Sequence, residues 1–272
     1  MDKWNLIIYA PAYNIEKTAE EFISRIDAAV NAPSGLDDSR EIRLSKLFII
    51  DDGSSDDTKD ILEKTISRRE LPGEVIKNKK NLGAADAVMA GMKMAAKHLR
   101  MGRLDRKKTI IIRMDSDLEH QPEDIPRLIE RIISGKGRTC VGWIPFEPKN
   151  GIFVKIFNEW IGKKESKEFL GVSIPQFFPG FVAVRGDLFL DILGEIGKAA
   201  DEFESRFKEK MIAIDFVTLV ISKKHGEEII PVKLRKIEDK HIKKQPISKI
   251  TKYLRCHERT VSFLRSAYKS MK

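Results

Sequence analysis

The fold and the candidate site both follow from one stretch, Thr109-Ile-Ile-Ile-Arg-Met-Asp115-Ser-Asp117-Leu-Glu119-His120-Gln-Pro-Glu-Asp124. Its first half is apolar and rich in β-branched residues, which predicts a strand buried on both faces. Its second half places Asp115, Asp117 and Glu119 where that strand should end. Residues two apart on an extended chain point to the same side, so the three carboxylates repel one another unless a cation or water screens them. This spacing favours a hard divalent cation, Mg²⁺ or Mn²⁺; the alternative is a solvated acidic loop that caps the next helix.

The composition is that of a soluble globular protein. The 272 residues are 42% hydrophobic and 33% charged, enough for one large α/β domain or two small ones. No apolar run approaches the roughly 20 residues that a membrane-spanning helix needs. The first strand begins at Leu6, so we expect no signal peptide, and the two cysteines give no disulfide or metal pattern. These features favour a reducing, cytoplasmic location.

Charge divides the chain into a body and a basic extension. Residues 233–272 carry thirteen Lys or Arg against three acids, a net +10, whereas the whole chain is +9. We therefore predict a domain over 1–232, followed by the extension 233–272. A basic extension on a neutral body points to an anionic partner: phosphates, an acidic membrane surface or nucleic acid.

Strands and helices alternate before the acidic stretch. Apolar runs ending at Ala10, Ile50 and Lys77 predict three strands, each followed by helical spacing. This alternation predicts a parallel, doubly wound sheet, which binds ligands at the carboxyl ends of its strands. The turns 11–14, 51–54 and 115–119 should then lie on one edge. Between 163 and 178 the periodicity fails, which predicts a mobile loop over the site.

Four motifs, in this order, resemble family 2 glycosyltransferases of the GT-A fold. They are Pro11-Ala-Tyr13-Asn14, Asp51-Asp-Gly-Ser-Ser-Asp-Asp-Thr58, Asn81-Leu-Gly83, and the acidic turn with its following His120-Gln-Pro-Glu123. The acidic turn is most similar to the dolichol-phosphate mannosyltransferase branch. The resemblance covers residues 4–135 and continues more loosely to about 250 through Gly180-Phe181, Arg185 and the segment from Lys243 to Lys249.

The resemblance implies a GT-A fold: a Rossmann-like, mostly parallel sheet flanked by helices, with a basic C-terminal helical extension. Residues 1–135 would bind the nucleotide sugar, and residues 136–232 would form the acceptor side. Asp115, Asp117 and Glu119 would hold Mg²⁺ or Mn²⁺ against the donor diphosphate. Asp117 and Asp215 are the catalytic candidates, Asp215 as general base toward a hydroxyl acceptor.

The resemblance also implies a set of residues that bind the nucleotide sugar: Pro11, Ala12, Tyr13, Asn14, Glu16, Asp51, Asp52, Asn81, Gly83, Asp115, Ser116, Arg185, Lys243 and Lys249. Several have structural alternatives. Asp51 could cap the next helix, Asn81 and Gly83 could form a strand-to-helix turn, and Asp215 could be a paired core acid. Lys243 and Lys249 could be solvated surface charges.

The expected reaction is metal-dependent transfer of a sugar, with inversion, from a GDP-mannose-like or UDP-sugar donor. Polyprenyl or dolichyl phosphate is the favoured acceptor; one alternative is a hydroxyl on a soluble small molecule or saccharide. Another is a nucleotide-sugar-binding module without turnover. Apolar positions alternate with basic ones from Ile247 to Tyr268, so the extension is either a helix packed on the body or an interfacial helix at the cytoplasmic face of a membrane. Nucleic acid is disfavoured because the extension lacks interleaved stacking aromatics.

Overall fold

The computed structural model describes residues 2–31, 40–102, 104–145, 157–238, 240 and 247–268. The strands are β1 (Asp2–Ala12), β2 (Arg40–Asp51), β3 (Gly73–Lys77), β4 (Thr109–Met114), β5 (Thr139–Trp143), β6 (Phe181–Arg185) and β7 (Ile229–Lys233). The helices are α1 (Glu16–Asn31), α2 (Thr58–Arg68), α3 (Ala84–Met101), α4 (Ile125–Ile133), α5 (Lys163–Leu170), α6 (Gly186–Phe207), α7 (Ile214–Lys224) and α8 (Ile247–Ala267). Short 3-10 turns lie at Arg106–Lys108 and Pro122–Asp124, and a wider helical turn lies at Phe157–Gly162.

The strands in this part of the chain form one mixed sheet with the order β3-β2-β1-β4-β6-β5-β7. β1 is parallel to β2 and to β4, and β2 is parallel to β3, as the strand–helix alternation predicts. Strand order reverses between β1 and β4, so the carboxyl ends of β1, β2 and β4 share one edge. β6 runs antiparallel to β4 and β5, which makes the sheet mostly rather than wholly parallel.

The core lies on both faces of the sheet, and β4 is buried throughout. Ile110 and Ile112 pack on the face that α1 and α4 cover, while Ile111 packs on the opposite face with α3, α6 and α7. A strand covered on both faces needs apolar side chains at successive positions, which explains its β-branched sequence. This central strand carries the acidic turn at its carboxyl end.

The extension packs back on the body instead of standing free. In α8, Val261, Phe263 and Leu264 are buried in the core on the α3 and α6 face. Before it, Gln121 donates to the carbonyl of Lys236 at 2.6 Å, and the Arg235 amide donates to Asp124 at 2.8 Å. The described part of the extension therefore follows the packed-helix alternative. No helix within the described ranges is long and apolar enough to cross a membrane.

The loop expected over 163–178 is wrong in its first half, because α5 occupies Lys163–Leu170. Leu170 is buried in the core, and the Ser166 hydroxyl accepts from the Ile174 amide at 2.7 Å. The sequence of α5 shows few apolar residues, so its helix is stabilised by these contacts and not by a local periodic pattern.

Candidate functional site

The three predicted turns meet at one edge of the sheet and are tied together by hydrogen bonds. The Asp52 amide donates to the carbonyl of Ala12 at 2.8 Å. The Asn14 amide donates to the Ser54 hydroxyl at 2.9 Å, and the Ser116 hydroxyl donates to the carbonyl of Pro11 at 2.6 Å. The turn after β1 therefore touches both the turn after β2 and the acidic turn after β4.

The turn after β1 contains two residues whose hydrogen bonds hold its conformation and one residue that is exposed to solvent. Asn14 has a positive φ of 50°, and its side chain accepts from the Ser55 amide at 3.0 Å. Glu16 exchanges hydrogen bonds with the segment at Asp56 and Asp57. Tyr13, by contrast, is 47% exposed beside this corner. Asn14 and Glu16 thus shape the turn, and the ring of Tyr13 is available to a ligand.

The two acids after β2 have different surroundings. Asp52 accepts hydrogen bonds from the Asn78 side chain at 2.9 Å and from the amides of Leu82 and Gly83 at 2.9 and 2.7 Å. It therefore shapes the loop that contains Asn81 and Gly83. Asp51 accepts from the Ser54 amide through Oδ1, while its buried Oδ2 has no hydrogen-bond partner among the described residues. Asp51 is accordingly the better candidate of the two for contact with a ligand.

In the acidic turn, exposed and buried side chains alternate, as the spacing of its acids predicts. Asp115, Asp117 and Glu119 are partly exposed, whereas the intervening Ser116 and Leu118 are buried. Leu118 adopts a positive φ of 64°, and the Glu119 amide donates to Asp117 Oδ1 at 3.2 Å. The three carboxylates share one surface at the end of β4.

The predicted three-ligand metal shell is not assembled in the described part of the chain, where no group of three or more His, Cys, Asp or Glu is placed to hold an ion. The side chains nevertheless suit Mg²⁺ or Mn²⁺, which take one or two carboxylates, several waters and the phosphates of a substrate. The joint field of the acids is evident at Tyr253 in α8. Burial, followed by the charges of Asp115, Glu119 and Asp117, raises the pKa of Tyr253 to about 12.

A buried arginine lies directly behind the acidic turn. Arg113 Nη1 is 2.9 Å from Asp115 Oδ1 and donates to the carbonyl of Gly180 at 2.5 Å, and Nε is 3.2 Å from Asp215 Oδ2. Burial opposes ionisation of Asp115, but Arg113 and then His120 hold the pKa of this carboxyl well below its usual range. Burial, together with the charge of Asp115, raises the pKa of Asp215 to about 6 although Arg113 opposes this shift.

Arg113 and Gly180 were not among the predicted ligand residues. A Cβ on Gly180 would lie 1.9 Å from Asp115 Oδ2 and 2.7 Å from Arg113 Nη1, so only glycine leaves room for the ion pair. The signal for Arg113 was present in the sequence, as a single charge inside a strand predicted to be buried on both faces. A buried charge requires a partner, but the sequence does not show which acid supplies it.

Of the three predicted phosphate contacts, Arg185 is the one whose side chain the structure describes. Arg185 pairs in the sheet with Ile110, at the opposite edge from Met114 and the acidic turn, and its side chain binds Asp187 at 2.8 and 2.7 Å. Because β6 is antiparallel, its carboxyl end points away from the site, and the assignment of Arg185 is wrong. Lys243 lies outside the described residues. Lys249 lies in α8, but its side chain is not described.

Known proteins resemble this chain in sequence and in fold. The model of "Glycosyl transferase family 2" matches residues 7–193. Dodecaprenyl-phosphate galacturonate synthase of Rhizobium johnstonii is 27% identical over 194 residues, 70% of this chain and 51% of that protein. Dolichol-phosphate mannosyltransferase of Pyrococcus furiosus is 34% identical over 128 residues, 47% of this chain and 30% of that protein. The matches thus span about half or less of these relatives' length.

A solved structure extends the likeness to nearly the whole chain. Glucosyl-3-phosphoglycerate synthase from Mycobacterium tuberculosis, in complex with Mn²⁺, uridine diphosphate and phosphoglyceric acid, superposes with a TM-score of 0.60 at 17% identity. The superposition covers 97% of this chain and 78% of that one. At this identity the likeness establishes the fold, and it confirms the predicted GT-A architecture.

Proposed function

The chain belongs to glycosyl transferase family 2, and from that premise we propose that it transfers a sugar from a nucleotide-sugar donor to an acceptor at the shared edge of β1, β2 and β4. The observation that carries the proposal is the hydrogen-bonded meeting of three turns, one of them acidic, where strand order reverses. Crevices at such reversals are where open α/β sheets bind nucleotides.

The donor's nucleoside would lie against the turns after β1 and β2. Tyr13 offers an exposed aromatic ring to the base. Asp51 Oδ2, which is buried without a hydrogen bond and lies 3.7 Å from Lys77 Nζ, would accept from the base or ribose. Asp52 would act indirectly, because its carboxylate holds the Asn81–Gly83 loop in place. Pro11 and Ala12 supply the backbone to which Asp52 and Ser116 are tied.

The donor's diphosphate would lie in front of the acidic turn, with Asp117 and Glu119 as carboxylates toward Mg²⁺ or Mn²⁺. Asp115 would support them from behind, since its two oxygens already face Arg113 and His120. When bound, the ion supplies positive charge that offsets the charge gained by the departing nucleoside diphosphate. These residues orient the donor so that its anomeric carbon faces the acceptor, and a single displacement from the far side inverts that carbon.

We propose polyprenyl phosphate as the acceptor class, because its phosphate is ionised at neutral pH and needs no base. Two bulky apolar side chains are exposed to solvent, Trp160 in residues 136–232 by 76% and Leu254 in the extension by 41%. Leu254 stands between Lys252 and Arg255 on α8, and an apolar side chain flanked by basic residues suits an anionic lipid surface. Contact with the cytoplasmic face of a membrane is part of this proposal.

A soluble hydroxyl acceptor is the second candidate, and Asp215 favours it. A carboxyl whose pKa is raised to about 6 can accept a proton near neutral pH. Asp215 also has a structural role that competes with the role of a base, since it is an ion-pair partner of the buried Arg113. This candidate requires the reaction rate to depend on Asp215, whereas transfer to a phosphate does not require Asp215 as a base.

The test is a thermal-shift panel of GDP-, UDP- and dTDP-sugars, each with and without Mn²⁺. A nucleotide at a hundredfold over its dissociation constant stabilises the fold by about 2.7 kcal/mol. The nucleotide that binds is then incubated with undecaprenyl phosphate in detergent or with a soluble saccharide, and products are identified by mass spectrometry. Binding without transfer to either acceptor would favour the nucleotide-sugar-binding module, and binding of no nucleotide would refute the proposal.

A further inference from the structure

We propose that Arg113 is the positioning residue of this site, holding Asp115 on the donor side and Asp215 on the acceptor side through one buried guanidinium. The inference deepens the proposed function and rests on it. None of the site roles given above requires an arginine here; the assignment comes from the contacts of the side chain.

The guanidinium is held from three directions. Arg113 Nη1 contacts Asp115 at 2.9 Å and donates to the Gly180 carbonyl at 2.5 Å. Nε lies 3.2 Å from Asp215 Oδ2 in an ion pair without a hydrogen bond. The side chain of Arg113 is 9% exposed, so water offers it little hydration. A charge this deeply buried is stable only while its partners stay in place, and the same contacts fix the partners.

The three partners come from separate parts of the fold. Asp115 follows β4, Gly180 precedes β6, and Asp215 lies in the first turn of α7. A planar guanidinium presents several N–H groups in a fixed fork, so one side chain can donate to the Gly180 carbonyl and pair with both acids in a defined geometry. An ammonium on a flexible stem carries the same charge without that fork.

Gly180 is independent evidence that Asp115 and Arg113 are closely packed against the backbone before β6. Any side chain there would overlap both Asp115 Oδ2, at 1.9 Å, and Arg113 Nη1, at 2.7 Å. The β6 backbone therefore approaches the ion pair more closely than any other residue would allow. Through this contact, Arg113 sets where the Asp115 carboxylate stands relative to Asp117 and Glu119.

The prediction is specific to metal-dependent binding. Arg113→Met should weaken Mn²⁺-dependent binding of UDP or GDP at least tenfold, because Asp115 loses its anchor and the acidic turn loses its shape. Binding of the same nucleotide without Mn²⁺ should stay within twofold of the wild type, since Tyr13 and Asp51 lie on other turns. A purely structural role for Arg113 would weaken both together. Arg113→Lys should weaken Mn²⁺-dependent nucleotide binding by about threefold to tenfold, because an ammonium keeps the charge but not the fork of N–H groups.

Arg138→Met is the matched control. Arg138 also bridges two acids, Asp187 and Glu227, but it lies beside Arg185 at the opposite edge of the sheet. Its loss should leave Mn²⁺-dependent nucleotide binding unchanged while testing the general cost of breaking an arginine bridge.

The experiment titrates UDP, GDP and dTDP into each variant of the chain by calorimetry, with and without Mn²⁺, after circular dichroism confirms folding. A folded Arg113→Met protein that binds like the wild type in both conditions overturns the proposal, as does an equal loss in both conditions. If Arg113→Met does not fold, Arg113→Lys decides, and wild-type binding by that variant overturns the proposal. A wild type that binds none of these nucleotides overturns the proposed function, and the role of Arg113 with it.

Discussion

The turns after β1 and β2 and the charged cluster behind β4 lie at the same edge but are built differently. In the first region, short polar side chains bind nearby main-chain amides: Asp52 binds Leu82 and Gly83, and Asn14 binds Ser55. In the second, Arg113 joins side chains and backbone from β4, the start of β6 and α7. The first region is a set of shaped loops, and the second is a cross-link between elements.

This difference has a consequence for how each region responds to change. A loop shaped by its own amides should lose function locally when a side chain is replaced. A buried charged cluster should transmit a change to every partner, because an unpaired charge in the interior is costly. The following substitutions test this contrast.

The largest effect is expected at the acidic turn itself. Asp117→Asn should lower turnover by about 100-fold, more than the loss of a residue that only supports a ligand. Circular dichroism should show an unchanged fold, since Asp117 is partly exposed. Asp60→Asn, an exposed acid in the first turn of α2, is the control and should retain full turnover. Full activity of Asp117→Asn at saturating Mn²⁺ would contradict the role given to this residue.

A second prediction concerns how the stability of the charged cluster around Arg113 depends on pH. The pKa of Asp215 is raised to about 6 in the folded protein, so between about pH 4 and 6 the folded state binds more protons than the unfolded state. Asp215 therefore lowers stability as pH rises through this window, by about 3 kcal/mol in total, given 1.36 kcal/mol per pKa unit. Urea unfolding of the wild type and Asp215→Asn at several pH values isolates this contribution from that of other acids.

The prediction concerns the direction in which the difference in unfolding free energy between the two proteins changes with pH. The difference in stability, Asp215→Asn minus wild type, should increase from pH 4 to 6 and then level off. A flat difference would show that Asp215 titrates at its ordinary pKa, and the description of the cluster as a buried, mutually dependent unit would fail.

The loop region should respond more modestly. Asp52→Asn removes the charge from an acceptor of three hydrogen bonds, each worth about 1.5–3 kcal/mol when charge-assisted and less when neutral. We expect nucleotide binding to weaken about tenfold through a loosened Asn81–Gly83 loop, within the cost of one such bond. Calorimetry with UDP and GDP measures this effect. Ser67→Ala, at an exposed side chain near the end of α2, is the control, and equal losses in both variants would contradict a specific role for Asp52.

The smallest effect is expected on the acceptor side. Trp160→Ala should reduce binding to vesicles containing anionic lipid by about threefold to tenfold, since one exposed aromatic side chain contributes on the order of 1 kcal/mol at an interface. Met101→Ala is a matched control, because Met101 is 75% exposed at the end of α3. Co-sedimentation with vesicles measures both variants. Equal binding by wild type and Trp160→Ala would remove Trp160 from the proposed lipid surface.

Much of the edge formed by β1, β2 and β4 could be predicted because its signals are local. The apolar runs of β1, β2 and β4 and the helical spacing after them predict strands and helices directly. Right-handed crossovers between parallel strands then bring the carboxyl ends together, which places the turns at Tyr13, Asp51 and Asp115 on one edge. The exposure of Asp115, Asp117 and Glu119 alternates with that of the residues between them, as their two-residue spacing predicts, although the backbone there is bent at Leu118 and not extended.

The wrong predictions concern a strand whose direction, and a helix whose packing partner, depend on segments that are distant in the sequence. Arg185 stands at the end of a strand, as predicted, but β6 runs antiparallel and carries it to the far edge. The helix α5 was missed because its stability depends on contacts with residues such as Ile174 and not on its own pattern. Neither strand direction nor packing partner is encoded in a short window of sequence.

The sequence by itself determined the alternation of strands and helices, the three polar turns and the acidic spacing at the end of β4, because backbone periodicity and chain handedness act locally. Only the tertiary structure decided that Arg113 joins Asp115 to Asp215 beside Gly180, and that α8 brings Tyr253 to the acidic turn. These contacts link segments that are far apart in the chain, and the register and direction of the sheet, together with the packing of helices on its faces, select which of many possible partners meet.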